Sequence, residues 1–307
     1  MTFYPQIQSV ADAEAFVAAG EAAFRASLSA AVETIVHRNR RWILTVSGPS
    51  CSGKTTASTR LMEALRENGD QTVLISIDDF FRDRPESKTT SETLDYDSVN
   101  AIDLAYLTEV IEGICHGEPV RLPHYNFLTG KRDSYRAYQP DARNIYIFEG
   151  IQAVYPEVTS VLRSASVSLG GYDSVFICPD APDDAENTIL SDNDIRLLRR
   201  IVRDVRTRGA SPEFTLHLWE SVRANEDKSI LPYAKNATVR INSYLPYELY
   251  VIAPLCRPYL LEIPADSPYH RRARELLSYL DAFENPYFSC RMVPFDSVFR
   301  EFIGNIQ

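Results

Sequence analysis

One stretch decides more about this chain than any other: Gly48-Pro49-Ser50-Cys51-Ser52-Gly53-Lys54-Thr55-Thr56. It fits G-x-x-x-x-G-K-[ST], a loop whose glycines let the backbone curl until several N–H groups point at one phosphate. In such a loop Lys54 reaches the outer oxygens of a bound polyphosphate, and the Thr55 hydroxyl can hold Mg²⁺. The flanks agree. Residues 41–47 form a short, apolar, β-prone run that reads as a buried parallel strand. Residues 55–68 carry Ala57, Leu61, Ala64 and Leu65 at helical spacing, with Gly69 as the stop. A strand, a glycine loop and a helix start together offer an anion free N–H groups and the positive end of a helix dipole.

The rest of the chain has to supply a core and a second substrate. At 307 residues, 45% hydrophobic and 24% charged, it has the composition of a globular protein with a full interior. A net charge of −10 argues against nucleic acid or a membrane surface as a general partner. Five cysteines at irregular spacing, without a C-x-x-C pair, suit a reducing compartment, so a cytoplasmic location is expected. Cys51, inside the loop, needs only to be small. The N-terminus lacks a basic segment followed by an apolar core, and no apolar run is read as long enough to span a membrane.

Periodicity predicts a helix over residues 11–40, then strands at 72–77, 144–148, 174–178 and 237–241, with helices at 99–116 and 268–283. Alternating strands and helices imply an α/β fold, a mostly parallel sheet with helices on both faces. The expected units are a helical N-terminal extension at 1–40, a core with a lid at 41–245, and a C-terminal helical segment at 246–307 packed on the core.

Ligands of parallel sheets lie at the carboxyl ends of the strands. Two predicted strands end there in acids: one in Asp78-Asp79, the other in Glu149-Gly150. Asp78 suits a group that orients or takes a proton, and Glu149 suits a Mg²⁺-side carboxylate. Each alone could equally be a helix cap or a solvated strand end. A further feature is the run Arg196, Arg199, Arg200, Arg203, Arg206 and Arg208, capped by Ser191 or Asp192 and ended by Gly209. At helical spacing its first five arginines fall opposite Ile195, Leu198, Ile201, Val202 and Val205. A solvated stripe would alternate with glutamates; here only Asp204 intervenes, so contact with phosphate or substrate is expected.

Taken in order, these pieces resemble the uridine kinase and phosphoribulokinase family. The matching stretches are Gly48 to Thr56, Ile77-Asp78-Asp79-Phe80-Phe81, Leu94-Asp95-Tyr96-Asp97, Leu122-Pro123-His124-Tyr125-Asn126-Phe127, Phe148-Glu149-Gly150 and the arginine run. They lie within about residues 41 to 245. Leu218-Trp219-Glu220-Ser221-Val222-Arg223 and Phe299-Arg300-Glu301-Phe302-Ile303-Gly304 look similar to a bacterial nucleoside-kinase subgroup whose members often carry a front domain resembling part of threonyl-tRNA synthetase; in its place only the helical extension is expected here. The resemblance implies a P-loop NTPase fold and an ATP- and Mg²⁺-dependent kinase acting on an alcohol, most naturally the 5′-hydroxyl of a nucleoside.

It also implies roles. Gly48, Ser50, Cys51, Ser52, Gly53, Lys54, Thr55 and Thr56 would hold ATP, with Arg199 and Arg203 toward its phosphates. Asp78 would be the base, Arg196 a substrate-side catalytic arginine, and Thr55 with Glu149 the metal side. Phe81, Asp95 and Tyr125 would line the acceptor pocket, and residues after Gly209 would belong to the lid. Two departures stand out. Similar pyrimidine kinases carry a tyrosine where this chain has Phe81, and a base-reading histidine shortly after the aromatic at Tyr125, where this chain runs Phe127-Leu128-Thr129-Gly130-Lys131-Arg132. His124 reads as a packed or surface histidine, and Lys131 and Arg132 as a solvated loop or a contact for an anionic acceptor. Two alternatives follow: a kinase for another hydroxyl compound, such as a sugar phosphate or a pantothenate-like molecule, or a regulatory protein that binds nucleotide without an acceptor. A homo-oligomer is compatible with either.

Overall fold

The computed structural model describes residues 7–36, 43–84, 98–127, 129–141, 143–181 and 190–304. Its strands are β1 (Ile43–Ser47), β2 (Gln71–Ser76), β3 (Val120–Asn126), β4 (Lys131–Tyr138), β5 (Asn144–Glu149), β6 (Tyr172–Cys178) and β7 (Val239–Asn242). Five of them form one parallel sheet in the order β2-β5-β1-β6-β7, and β3 pairs with β4 as an antiparallel hairpin. β1 is buried along its whole length because it sits at the centre of the sheet. Successive residues of a strand point to opposite faces. Leu44 and Val46 accordingly join Ile145, Ile147, Val175 and Ile177 in one core, while Ile43 joins Tyr146, Phe148 and Phe176 in the other.

The helices that cover these faces are α1 (Val10–Val36), α2 (Lys54–Glu67), α3 (Leu104–His116), α4 (Pro156–Leu169), α5 (Asp192–Arg203), α6 (Pro212–Ser229), α7 (Leu231–Ala234), α8 (Glu248–Leu261), α9 (His270–Leu280) and α10 (Arg300–Ile303). α1, α2, α5, α8 and α9 contribute to the first core, and α3 and α4 to the second. The fold is therefore α/β with helices on both sides of a parallel sheet.

Several boundaries have visible local causes. α3 starts at Leu104 rather than near 99 because the Asp103 side chain accepts the Tyr106 N–H, and it stops at Gly117, whose left-handed backbone ends the helix. Residues 99–101 form a separate short turn. Ser191 and Asp194 make a reciprocal capping box at the start of α5. α5 then passes into a π-helical turn, Asp204–Arg208, which Gly209 closes at φ 64°. Such turns are rare and concentrate at functional sites.

α1 corrects one expectation. By length and composition it is apolar enough to cross a bilayer. Alanine richness hides this from a search for bulky apolar runs. Within the chain it packs as a core helix against α2 and β7, burying Phe24, Leu28, Val32 and Ile35, and its buried Glu21 accepts a hydrogen bond from the Tyr247 hydroxyl.

Candidate active site

The loop between β1 and α2 stands where the spacing demands glycine. A Cβ on Gly48 would lie 2.1 Å from the Ile177 carbonyl oxygen of β6, and Gly53 takes φ 89° with Val298 against its open side. Among the described residues Cys51 is the one non-glycine with positive φ, at 58°, and its side chain is buried. Lys54 Nζ donates to the Pro49 carbonyl at 3.0 Å, across the loop it belongs to. Thr55 is exposed at the start of α2. The Thr56 N–H and hydroxyl both donate to Glu301 Oε2 at 3.2 Å.

Behind the loop lies the principal correction. Arg196 and Arg199 do not face solvent or an open pocket; their exposures are 1% and 0%. Arg196 Nη1 donates to the Ser50 carbonyl at 3.0 Å, and the guanidinium grips Glu226 through bonds of 2.7 and 2.8 Å. Glu226 also accepts the Ser50 N–H at 2.9 Å. Arg199 Nη1 donates to the Cys51 carbonyl at 3.2 Å, and its other nitrogens bind Glu248 at 2.6 and 2.9 Å and the Ser243 carbonyl at 2.8 Å. Arg200 Nη1 donates to Ser50 Oγ at 3.0 Å, and Ser243 Oγ donates to the Ser52 carbonyl. The carbonyls of residues 50, 51 and 52 are thus all drawn to the back of the loop. A buried guanidinium needs a carboxylate partner, which is why the arginine face turns inward onto Glu226 and Glu248. Burial would raise the Glu226 carboxyl, but Arg196, the Ser50 N–H and Arg223 outweigh it and hold it below the ordinary range.

Arg203, near the end of α5, binds Asp204 at 2.8 Å. Burial works against its charge, while Cys51, Asp204 and Glu301 sustain it. Arg208, carried out by the π-helical turn, lies 5.9 Å over the Phe127 ring. Of the arginine run, it is Arg208 that reaches the aromatic side of the site.

In front of the loop, acids gather at the carboxyl ends of β2 and β5. Asp78 lies in the turn Ile77–Phe80 that follows β2. Ser76 Oγ donates to Glu149 Oε1 at 2.8 Å. Burial and the nearby charge of Asp78 push the Glu149 carboxyl up to about 7, against the opposing pull of Ser76 and Lys54. Asp78, Glu149 and Lys54 therefore share one electrostatic neighbourhood. A buried carboxyl kept from ionising beside a second carboxylate fits a divalent cation, which would restore its charge. Among the described residues no group of three metal-ligating side chains forms. Mg²⁺ usually takes one or two carboxylates and completes its shell with phosphate oxygens and water.

Next to these acids is an aromatic wall. Phe81 meets Tyr125 edge-on at 5.6 Å between ring centroids and Phe127 at 6.1 Å, and Tyr125 meets Phe127 at 5.2 Å. Phe81 and Tyr125 are each 2% exposed. The Tyr125 N–H donates to Asp79 Oδ1 at 2.9 Å, which ties the β3–β4 hairpin to the strand end beside Asp78. Asp79 also pairs with the exposed His124 at 3.2 Å, and its carboxyl is raised, chiefly by burial. Arg132 is engaged by Asp103 at 3.1 Å, a structural contact rather than an open anion site. Asp95 lies outside the described residues.

The structure thus brings together the loop, Asp78, Glu149, Phe81 and Tyr125, and sets Arg196 and Arg199 behind the loop. Sequence reasoning missed Glu226, Glu248 and Ser243 under the loop and Glu301 at its front. Glu226 and Glu248 had one readable signal, an acid demanded by each arginine once the arginines are inside.

Residues 43–171 match the model of the Phosphoribulokinase / Uridine kinase family. Over that stretch the chain is similar to this family. The matched stretch holds the loop, Asp78, Tyr125 and Glu149, and ends before the arginine helix. Among its relatives, uridine-cytidine kinase B of Dictyostelium discoideum is 29% identical over 209 residues, covering 67% of this chain and 76% of that protein. Uridine kinase of Deinococcus deserti is 28% identical over 205 residues, covering 66% and 87%. Other family relatives are longer: the match spans 38% of uridine kinase-like protein 4 of Arabidopsis thaliana and 37% of Saccharomyces cerevisiae uridine kinase. A solved structure described as a possible uridine kinase from Bacillus stearothermophilus aligns with TM-score 0.48 at 19% identity, over 71% of this chain and 98% of that one.

Proposed function

We propose that this protein is a kinase that transfers the terminal phosphoryl group of ATP to an alcohol, with the 5′-hydroxyl of a nucleoside as the first candidate acceptor. The observation that carries the reading is Asp78, placed beside Glu149 and Lys54 at the strand ends in front of the phosphate loop. A switch that only binds nucleotide needs no carboxylate at that position. The family relatives are named for uridine and cytidine, which makes a pyrimidine nucleoside the natural starting point.

In this reading the amides at the start of α2 hold the phosphates, with Lys54 leaving the Pro49 carbonyl to reach them. Thr55 and Glu149 would hold Mg²⁺, which when bound would neutralise charge on the phosphate oxygens. Asp78 orients the acceptor hydroxyl and accepts its proton as the oxygen attacks the terminal phosphorus of ATP, whose bond to the bridging oxygen breaks so that ADP leaves. Phe127, exposed in front of the buried Phe81 and Tyr125, offers the acceptor an aromatic face, and Arg203 and Arg208 supply positive charge from the lid side. Arg196 and Arg199 act as positioning residues that fix the shape of the loop. Most of the rate gain then comes from positioning and electrostatics. A cytoplasmic location belongs to the same reading, with all five cysteines present as free thiols.

A second acceptor class is favoured by one specific observation. No histidine follows Tyr125 in β3 or β4, so the polar group that similar pyrimidine kinases use to read a base edge is missing. Hydrogen-bonding groups supply much of such discrimination. A panel of nucleosides, sugar phosphates and pantothenate-like alcohols, assayed with γ-labelled ATP, separates the two. Transfer to a nucleoside supports the first acceptor; transfer confined to a non-nucleoside replaces it.

A further inference from the structure

The C-terminal Phe299-Arg300-Glu301-Phe302-Ile303-Gly304 stretch has no part in the mechanism above, yet it touches the phosphate loop directly. Glu301 Oε2 accepts both the N–H and the hydroxyl of Thr56 at 3.2 Å. Those donors sit in the first turn of α2, where the phosphate-binding motif presents its amides to a polyphosphate. Val298, three residues earlier, closes the open side of Gly53, and Phe302 lies under the Arg199 guanidinium at 4.8 Å.

The backbone that carries Glu301 is pinned. Arg300 donates to the carbonyls of Pro294 at 3.3 Å, Gly304 at 3.1 Å and Cys290 at 3.0 Å, and to that of Val293. Glu301 is only partly buried, so its side chain can turn while α10 stays in place. Its charge is felt across the site: it adds to the forces that raise Glu149 and to those that sustain Arg203. A carboxylate and a polyphosphate cannot both take the Thr56 donors, and their like charges repel at that range.

We propose that Glu301 is a resident anion of the donor site. Its carboxylate takes the place of a phosphate group at Thr56. A polyphosphate competes with it for those donors, and Glu301 swings off Thr56 when a triphosphate binds. The contact lowers affinity for the donor and satisfies the start of α2 while the site is empty. This inference rests on the loop being a polyphosphate site, not on the identity of the acceptor.

The test is calorimetric titration of the full chain with inorganic tripolyphosphate and, separately, with ATP. Wild type is compared with Glu301→Gln and Glu301→Ala, each checked for intact fold by circular dichroism. Glu301→Gln keeps the shape and removes only the charge, so it remains informative if the alanine variant fails to fold. The expected result is tighter binding of both ligands to Glu301→Gln, by roughly tenfold, the scale of one charge-assisted hydrogen bond released to the ligand. Unchanged affinity overturns the assignment while leaving the phosphate site intact. Weaker ATP binding with tripolyphosphate unchanged also overturns it, since it would make Glu301 an anchor for the nucleoside part of the donor. No binding of either ligand to any form removes the polyphosphate site itself, and this inference with it.

Discussion

Glu149 is a buried acid whose ionisation its surroundings oppose. Its carboxyl rises from 4.5 to about 7, first through burial and then through Asp78. For an acid raised on folding, the contribution to stability is fully present below pH 4.5 and is lost as pH rises through about 7. Glu149→Gln has no charge to lose. The variant should therefore gain on wild type across that window, by up to about 3 kcal/mol in denaturant titrations without metal. A difference that stays flat with pH would deny the shift. The buried arginines make the opposite kind of prediction. Arg196→Met leaves Glu226 buried without its main partner and should cost about 3–5 kcal/mol, whereas Arg196→Met with Glu226→Met should recover most of that. If the single variant melts like wild type, the support beneath the loop is not what holds Ser50.

Why the loop was legible in sequence and its support was not follows from distance along the chain. Gly48, Gly53 and Lys54 act within one turn, so spacing alone specifies them. Glu226 lies 30 positions from Arg196, Glu248 lies 49 from Arg199, and Glu301 lies 245 from Thr56. Nothing local links those pairs, and arginines on an amphipathic helix look solvated until their acids are found.

At the level of elements, the parallel strands were readable because buried strands are continuous apolar runs. The β3–β4 hairpin was not. β4 is almost entirely exposed and β3 contains Pro123 and His124, so neither shows clean alternation. Its function is to carry Tyr125 and Phe127 to Phe81, and the link is the Tyr125 N–H to Asp79. Asp79→Ala should loosen that tie and raise KM for the acceptor several-fold, with ATP binding unchanged. An equal effect on ATP would place Asp79 elsewhere in the scheme. α5 is likewise set by its ends. Ser191→Ala removes half of the capping box and should cost about 1 kcal/mol, read as a lower melting temperature.

The whole molecule is held by covering one face of the sheet with both ends of the chain. Phe24 and Leu28 of α1 share a core with Leu249 and Ile252 of α8 and with Phe299 and Phe302 near the C-terminus. The division into 1–40, 41–245 and 246–307 is a proposal that this shared core bears on. Phe24→Ala should destabilise the entire chain by about 3 kcal/mol in a single transition. Two separate transitions would mean that the N-terminal helix is an independent unit.

In the proposed reaction the site transfers phosphate, and Asp78 serves the acceptor rather than the donor. The direct measurement is transfer of label from γ-labelled ATP to the acceptor panel by wild type and Asp78→Asn, with ATP affinity recorded for both. Acceptor-dependent transfer by wild type is expected, with a loss of at least about a hundredfold in Asp78→Asn and nearly equal ATP affinity. Full transfer by Asp78→Asn, or no transfer to any acceptor by wild type, would contradict it.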